Sequence, residues 1–247
     1  MAQESNSDQQ FQINQPVKEG VIQYQLRYHL DHNSQCEILA ELNSWRSYLH
    51  RLGLIGRDSA RYDGLGYGNI SHRLQFGQNR FIISGTQTGH LPLLCREHYV
   101  TVEQADVSTN TIDAHGPIKP SSEALTHGAL YQAHGRIQAV IHVHSPLLWH
   151  QVEALDLPFT AAHIPYGTKS MADAVCCCVN ESVKQNRNPS GLIAMLGHED
   201  GIVAYGPSLR EAGEALLDAL VRANHHCHGD QHSSQHTVPF PRYPLGH

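Results

Sequence analysis

The chain has 247 residues, a length that suits one α/β domain, with 40% hydrophobic and 16% charged residues. Its formal net charge of −6 argues against nucleic-acid binding, which requires a basic surface. No apolar run reaches the length of a membrane span. Residues 1–20 are polar and lack the apolar stretch of a signal peptide. They predict a flexible N-terminal segment and a cytoplasmic protein.

Residue periodicity predicts an alternation of helices and strands. The first helix is predicted over 31–52, where Ser34 and Glu37 have capping-box spacing. The later patterns predict strands over 80–84 and 99–102, a helix over 121–134, a strand over 137–144, a helix over 168–183, strands over 191–196 and 202–205 joined by a turn, and a final helix over 208–223. Such a mixture predicts a layered α/β domain around one sheet, over 21–224. The His- and Pro-rich tail, 225–247, is predicted to be irregular.

Two histidines on a predicted strand form the first candidate site. His142 and His144 lie two positions apart, so their imidazoles leave the same face of the strand, opposite Ile141 and Val143. Neutral imidazole is a good ligand for zinc and similar ions. An H-x-H pair alone is also common as incidental histidine in a His-rich chain, so further ligands must be sought.

The segment Lys119–Glu123 reads K-P-S-S-E and leads into the helix predicted over 121–134. Ser121 and Ser122 fall at a helix start, where hydroxyls and free N–H groups attract anions. Glu123 is predicted in the first turn, where it is either a functional carboxylate or a simple complement to the helix dipole. His127, one turn later on the same face, competes as a ligand.

Three other segments have functional potential. His198 lies in a Gly-flanked turn between two predicted strands, a typical place for a functional side chain. The small-residue segments G-N-I-S, with Gly68 and Asn69, and S-G-T, with Ser84 and Gly85, can offer N–H groups to an oxyanion. Taken singly, each is an ordinary turn.

The order of these motifs resembles the class II aldolase/adducin family. G-N-I-S, S-G-T, K-P-S-S-E, H-V-H-S and a late Gly-flanked histidine follow one another from about Asp63 to Ala223. The resemblance implies a three-layer αβα sandwich around one central mixed, largely antiparallel sheet. It also implies a homotetramer acting on a sugar or sugar phosphate.

The resemblance further assigns residues to roles. Zn²⁺, or Mn²⁺, Co²⁺ or Fe²⁺, would be held by Glu123, His142, His144 and His198. The family's phosphate-binding positions correspond to Gly68, Asn69, Ser84, Gly85, Ser121 and Ser122. The implied reaction is a lyase reaction through an enediolate that the metal stabilises, with Glu123 shuttling the proton. A metal bound by imidazoles and a carboxylate is a suitable Lewis acid.

The sequence departs from the family at two places. Glu199 and Asp200 separate His198 from the following glycine, which makes this turn about two residues longer; either carboxylate could face the metal or the substrate. The stretch 155–167 is shorter than in the aldolases, so their tyrosine proton donor has no clear counterpart. Tyr166, His163 and Tyr243 are candidates.

Several functions remain open at this point. A dehydratase, decarboxylase or epimerase can use the same scaffold, and an adducin-like interaction module would keep the fold without the metal. Because every ligand position is filled, the last alternative is disfavoured. A metal-storage protein is a further alternative, based on the histidines after Ala223. It would bind several ions per chain instead of one.

Overall fold

The computed structural model describes residues 20–32, 37–186 and 189–232. Their strands are β1 Gln25–Leu30, β2 Gly56–Arg57, β3 Gly66–Tyr67, β4 Asn69–Arg73, β5 Phe81–Ser84, β6 Tyr99–Asp106, β7 Thr111–Gly116, β8 Ala139–His144, β9 Phe159–Thr160, β10 Gly191–Met195 and β11 Gly201–Gly206. Their α-helices are α1 Leu39–Arg51, α2 Ala124–Ala133, α3 Pro146–Trp149, α4 Lys169–Asn186 and α5 Leu209–His232. The short pair β2–β3 stands apart from the main sheet.

The main sheet contains nine strands in the order β1-β7-β6-β5-β4-β8-β11-β10-β9. The pairs β1–β7 and β9–β10 are parallel, and the other neighbours are antiparallel. The mixed, largely antiparallel sheet implied by the resemblance is therefore confirmed. β8 lies in the interior of the sheet between β4 and β11, which protects its backbone from solvent and holds its side chains rigidly.

Two hydrophobic layers cover the two faces of the sheet. One contains Val140 together with residues of α2 and α4, such as Leu125 and Val175. The other contains Ile141 and residues of α1, α3 and α5. Because neighbouring residues of a strand point to opposite faces, Val140 and Ile141 belong to different layers. The three-layer αβα architecture is thus confirmed. The side chains of His142 and His144 leave β8 on the same face as Val140, the face covered by α2 and α4.

Some predicted boundaries need correction. α1 begins at Leu39 and not at residue 31, and Ser34 of the predicted capping box lies outside the described residues. α2 begins at Ala124, so Glu123 is the N-cap residue and the prediction that it lies in the first turn was wrong. Pro120 is held in a β-bridge with Gly85, and the following residues, Ser121 to Glu123, turn the chain from this bridge into the helix. The helix therefore begins later than predicted. Six strands, β1, β2, β3, β4, β7 and β9, and the short helix α3 were not predicted.

The last helix is longer than predicted. Its start is confirmed, since the Glu211 N–H donates to Ser208 Oγ at 3.1 Å and Ser208 Oγ contacts Glu211 Oε2 at 3.0 Å. The prediction of irregular chain after about His225 was wrong, because α5 continues to His232. Residues 233–247 lie outside the described part. Among the described residues, no helix combines the length and the apolar character needed to cross a membrane.

Candidate metal centre

The pair His142 and His144 lies side by side on β8. Their ring centroids are 5.1 Å apart, and both side chains are buried. The antiparallel register places Asn69 of β4 opposite His142 and Gly201 of β11 opposite His144. The same-face arrangement predicted from the i, i+2 spacing is what the structure has.

His198 reaches the pair from the turn between β10 and β11. The turn is closed by the His198 N–H donating to the Met195 carbonyl and the Gly201 N–H donating to the His198 carbonyl, each at 2.9 Å. The His198 ring lies 5.0 Å from the His142 ring and 4.7 Å from the His144 ring, centroid to centroid. The candidate ligand atoms of the three histidines lie within 4.8 Å of one another.

Close packing explains the glycines on both sides of His198. A Cβ added at Gly197 would lie 1.7 Å from the Ile164 carbonyl oxygen. A Cβ at Gly201 would lie 3.0 Å from the His198 ring. These glycines therefore let the turn pack closely and bring its imidazole over β8.

Glu123 lies beside the three histidines. Its Oε1 is 3.9 Å from His198 Nδ1, and the side chain is 1% exposed. The carboxylate is close enough to affect Tyr24, whose raised pKa results first from burial and then from the charge of Glu123. Tyr24 donates its own hydroxyl proton to the Ser121 carbonyl at 2.8 Å. Glu123 thus lies in the site, although the group of three mutually close ligands contains histidines alone.

The chemistry of these side chains fits a divalent metal ion. His142 Nδ1 is 3.2 Å from the Ile202 carbonyl, which assigns the proton to Nδ1 and directs the lone pair to Nε2. That Nε2 is buried and has no hydrogen-bond partner within the described chain. Burial, and next the neighbouring His198, hold the pKa of both His142 and His144 well below the usual value. Neutral imidazoles are the form that binds a metal.

His127 is not part of this group among the described residues. Its Nδ1 is 2.7 Å from Ser71 Oγ, which also lies 2.7 Å from the Tyr131 hydroxyl. Burial lowers the pKa of His127 to about 3, so the ring is neutral. Its Nδ1 belongs to a polar network between α2 and β4, and the structure does not bring it together with the three histidines.

The three small-residue segments meet near the histidines. Gly85 and Pro120 form an isolated β-bridge, and the Thr86 N–H donates to the Lys119 carbonyl at 2.9 Å. Ser84 Oγ accepts from the Ile70 N–H at 3.2 Å, which links this group to the strand that pairs with β8. The segments carrying Gly68–Asn69, Ser84–Gly85 and Ser121–Ser122 are therefore neighbours.

Two residues of these segments have clear local roles. Gly68 has φ of +76°, and a Cβ there would lie 2.8 Å from Ile55 and 3.2 Å from the His142 carbonyl oxygen, so glycine is required. Ser121 Oγ accepts from the Glu123 N–H at 3.3 Å, which orders the turn that carries the carboxylate. Ser122 is buried next to them. The segments combine tight backbone turns with buried hydroxyl groups.

The three candidate proton donors have different environments. The Tyr166 ring stacks on His198 with centroids 4.4 Å apart, is buried, and its hydroxyl oxygen accepts from the Val21 N–H at 3.4 Å. His163 is exposed. Tyr243 lies outside the described residues. Tyr166 therefore packs directly against the ring of the candidate ligand His198.

A polar cluster that residue spacing did not predict lies on the other side of His144. Asp200 Oδ2 accepts from Arg61 Nη2 at 2.7 Å and from the Tyr62 hydroxyl at 2.6 Å. Tyr62 packs edge-on against His144 with centroids 4.5 Å apart, and Tyr67 lies 5.1 Å from the same ring. The sequence signal for this cluster was the longer turn after His198, because that turn contains Asp200. Glu199, by contrast, is exposed.

Comparison with known proteins identifies the class. The family described as Class II Aldolase and Adducin N-terminal domain matches residues 58–223. This range is well over half of the chain, and the protein belongs to that family. A search of curated proteins finds no match.

Solved structures share the fold. An L-fuculose 1-phosphate aldolase is 20% identical with a TM-score of 0.55, covering 84% of this chain and 92% of its own. A sugar-phosphate aldolase from Thermotoga maritima is 15% identical with a TM-score of 0.60, covering 81% and 98%. YgbL from Escherichia coli, described as a candidate aldolase, epimerase or decarboxylase, is 23% identical with a TM-score of 0.52, covering 76% and 86%. These similarities show the common fold.

Proposed function

We propose that this protein is a metal-dependent lyase of the aldolase type, acting on a small hydroxy-ketone sugar or sugar phosphate. The observation that carries the proposal is the convergence of three buried imidazoles beside a buried carboxylate, in a member of the class II aldolase/adducin family. His142, His144 and His198 hold the ion, with Glu123 next to it. Zn²⁺ suits this donor set best, and Mn²⁺, Co²⁺ or Fe²⁺ are alternatives.

Each group has a separate task in the proposed reaction. A bound divalent ion would supply a Lewis acid for the oxygens of a hydroxy-ketone. Glu123 takes up and returns the proton through its carboxylate, which is buried 3.9 Å from His198. Asn69, Ser122 and the neighbouring backbone of Gly68, Ser84, Gly85 and Ser121 hold the phosphate or other anionic end of the substrate, which fixes the reacting carbon. We further propose a cytoplasmic homotetramer.

The experiment is a substrate screen on metal-replete protein. Phosphorylated and free ketoses and sugar acids are incubated with the wild type and with His142→Ala, and the products are identified by mass spectrometry. We expect a wild-type-specific carbon–carbon cleavage of one compound class. Dehydration, decarboxylation or epimerisation instead would replace the lyase by another reaction of the same scaffold. No reaction, with no stoichiometric metal after loading, would support an adducin-like module.

A further inference from the structure

Arg61, Tyr62, Tyr67 and Asp200 form a compact group, the Arg61 cluster. The Arg61 guanidinium lies over the Tyr62 ring at 4.7 Å and over the Tyr67 ring at 5.9 Å. Its Nη2 donates to Asp200 Oδ2 at 2.7 Å and also to the Tyr62 hydroxyl. An ion pair and two aromatic faces therefore fix the plane of the guanidinium.

The Arg61 cluster borders the metal centre on the His144 side. The rings of both tyrosines contact the His144 ring. The Ser145 N–H donates to the Asp200 carbonyl at 2.8 Å, which ties the turn to the residue after His144. Arg61 is therefore close to the metal centre.

The fixed guanidinium retains hydrogen-bonding capacity. Within the described chain, both side-chain hydrogen bonds of Arg61 use Nη2, so Nε and Nη1 have no protein acceptor there. The side chain is 33% exposed, whereas its partner Asp200 is 8% exposed. Because Nε and Nη1 lie on different edges of the guanidinium they cannot chelate one carboxylate, but the fixed Nη1 can donate one charge-assisted hydrogen bond at low entropic cost.

The two sides of the metal centre differ in charge. On the His142 side, Asn69 and the small-residue segments offer neutral hydroxyls, an amide and backbone groups. On the His144 side, Arg61 offers a fixed cation whose Nη1 can donate a charge-assisted hydrogen bond to a carboxylate. A substrate held by its phosphate on the first side would bring its other end to Arg61.

We propose that Arg61 binds a carboxylate of the substrate beside the metal, so that the substrate is a sugar acid or its phosphate instead of a simple ketose phosphate. The assignment rests on the proposed metal-dependent function and narrows its substrate class. The two additional residues in the turn after His198, Glu199 and Asp200, explain how Arg61 is held. Asp200, at φ of +61°, turns its carboxylate inward to hold Arg61, while Glu199 remains exposed.

The test compares three small probes on zinc-loaded protein. Dissociation constants for glycerate, glycerol 3-phosphate and glycerol are measured by NMR titration for the wild type, Arg61→Gln and Ser122→Ala. Loss of one charge-assisted hydrogen bond should raise the glycerate dissociation constant about tenfold in Arg61→Gln. The glycerol 3-phosphate constant should change less than twofold in that variant and rise in Ser122→Ala.

Arg57→Gln is the matched control. Arg57 is an exposed arginine whose Nε donates to the Gly64 carbonyl at 2.5 Å, so it supports the same loop. We expect wild-type binding of all three probes in this variant. Glycerate binding that is unchanged in Arg61→Gln, or weakened equally in Arg57→Gln, would overturn the assignment. So would an equal effect of Arg61→Gln on both anionic probes, because it would indicate a general charge effect.

Metal content and folding are measured first for every variant. Wild-type protein without stoichiometric zinc would overturn the proposed function and with it this inference, whereas stoichiometric zinc without glycerate binding would overturn the inference alone. If Arg61→Gln does not fold, Arg61→Lys decides, since it keeps the charge but loses the planar group that the two tyrosine rings and Asp200 hold in place. It should weaken glycerate binding severalfold, and an unchanged constant would overturn the assignment.

Discussion

Two histidine-rich regions of this chain differ in what their histidines can do together. His142 and His144 are two apart on a strand and project from one face, where His198 joins them in a buried group. His225 and His226 are adjacent on α5, exposed, and have ring centroids 6.4 Å apart. Because neighbouring residues of a helix point in different directions, this pair does not converge. Backbone geometry and burial, and not the number of histidines, therefore distinguish the candidate metal centre.

The largest expected effect is the loss of a buried histidine. His142→Ala and His144→Ala should each lose the stoichiometric metal ion and bring turnover to background, because two imidazoles cannot replace the buried set of three. Elemental analysis and steady-state kinetics measure both quantities. His150→Ala, which changes an exposed histidine, is the control and should retain metal and activity. A fully active, metal-replete His144→Ala protein would contradict the ligand assignment.

A smaller effect is expected from Glu123→Gln, which keeps the size of the side chain and removes its charge. Metal should bind more weakly but measurably, since three imidazoles remain. Turnover should fall by roughly a hundredfold or more, as expected for the loss of a general acid/base. Kinetics on metal-saturated protein measure the effect. Near-normal turnover with a stability change of at most about 1 kcal/mol would instead assign Glu123 to helix-end electrostatics.

Next in size is the effect of Ser122→Ala. The variant should keep its metal and raise KM for a phosphorylated substrate about tenfold, because one hydrogen bond to an anion is lost. Ser47→Ala changes a half-buried serine whose hydroxyl donates to the Ser44 carbonyl within α1; it provides the control and should leave KM unchanged. Should Ser122→Ala lose metal while its KM stays at the wild-type value, the anion-binding role would have to be withdrawn.

The smallest effect is expected from the exposed pair on α5. The double variant His225→Gln, His226→Gln should retain one tightly bound ion and wild-type turnover, because an exposed, divergent pair offers a weak site. Competition with a chelator measures the affinity of the tight site. If the wild type binds several ions per chain and the double variant binds none, the metal-storage alternative is favoured instead.

The sequence predicted much of the fold because strong local patterns form the elements around the site. The strand of β8, the β10–β11 hairpin and the start of α5 are confirmed. β4 was not predicted, because its residues Asn69–Arg73 are polar apart from Ile70, and one of its two strand partners, β8, is distant in sequence. The continuation of α5 to His232 was missed because the His- and Pro-rich composition after about His225 predicted irregular chain.

By itself, the sequence determined the family and the order of its chemical groups, because motif order and the period-two spacing of His142 and His144 are local properties. Only the tertiary structure decided which groups meet. It joined His198 to β8 across the hairpin and directed His127 to Ser71. It also brought Asp200 to Arg61, 139 residues earlier in the chain. Contacts over such separations depend on how strands and turns pack, which residue spacing does not encode.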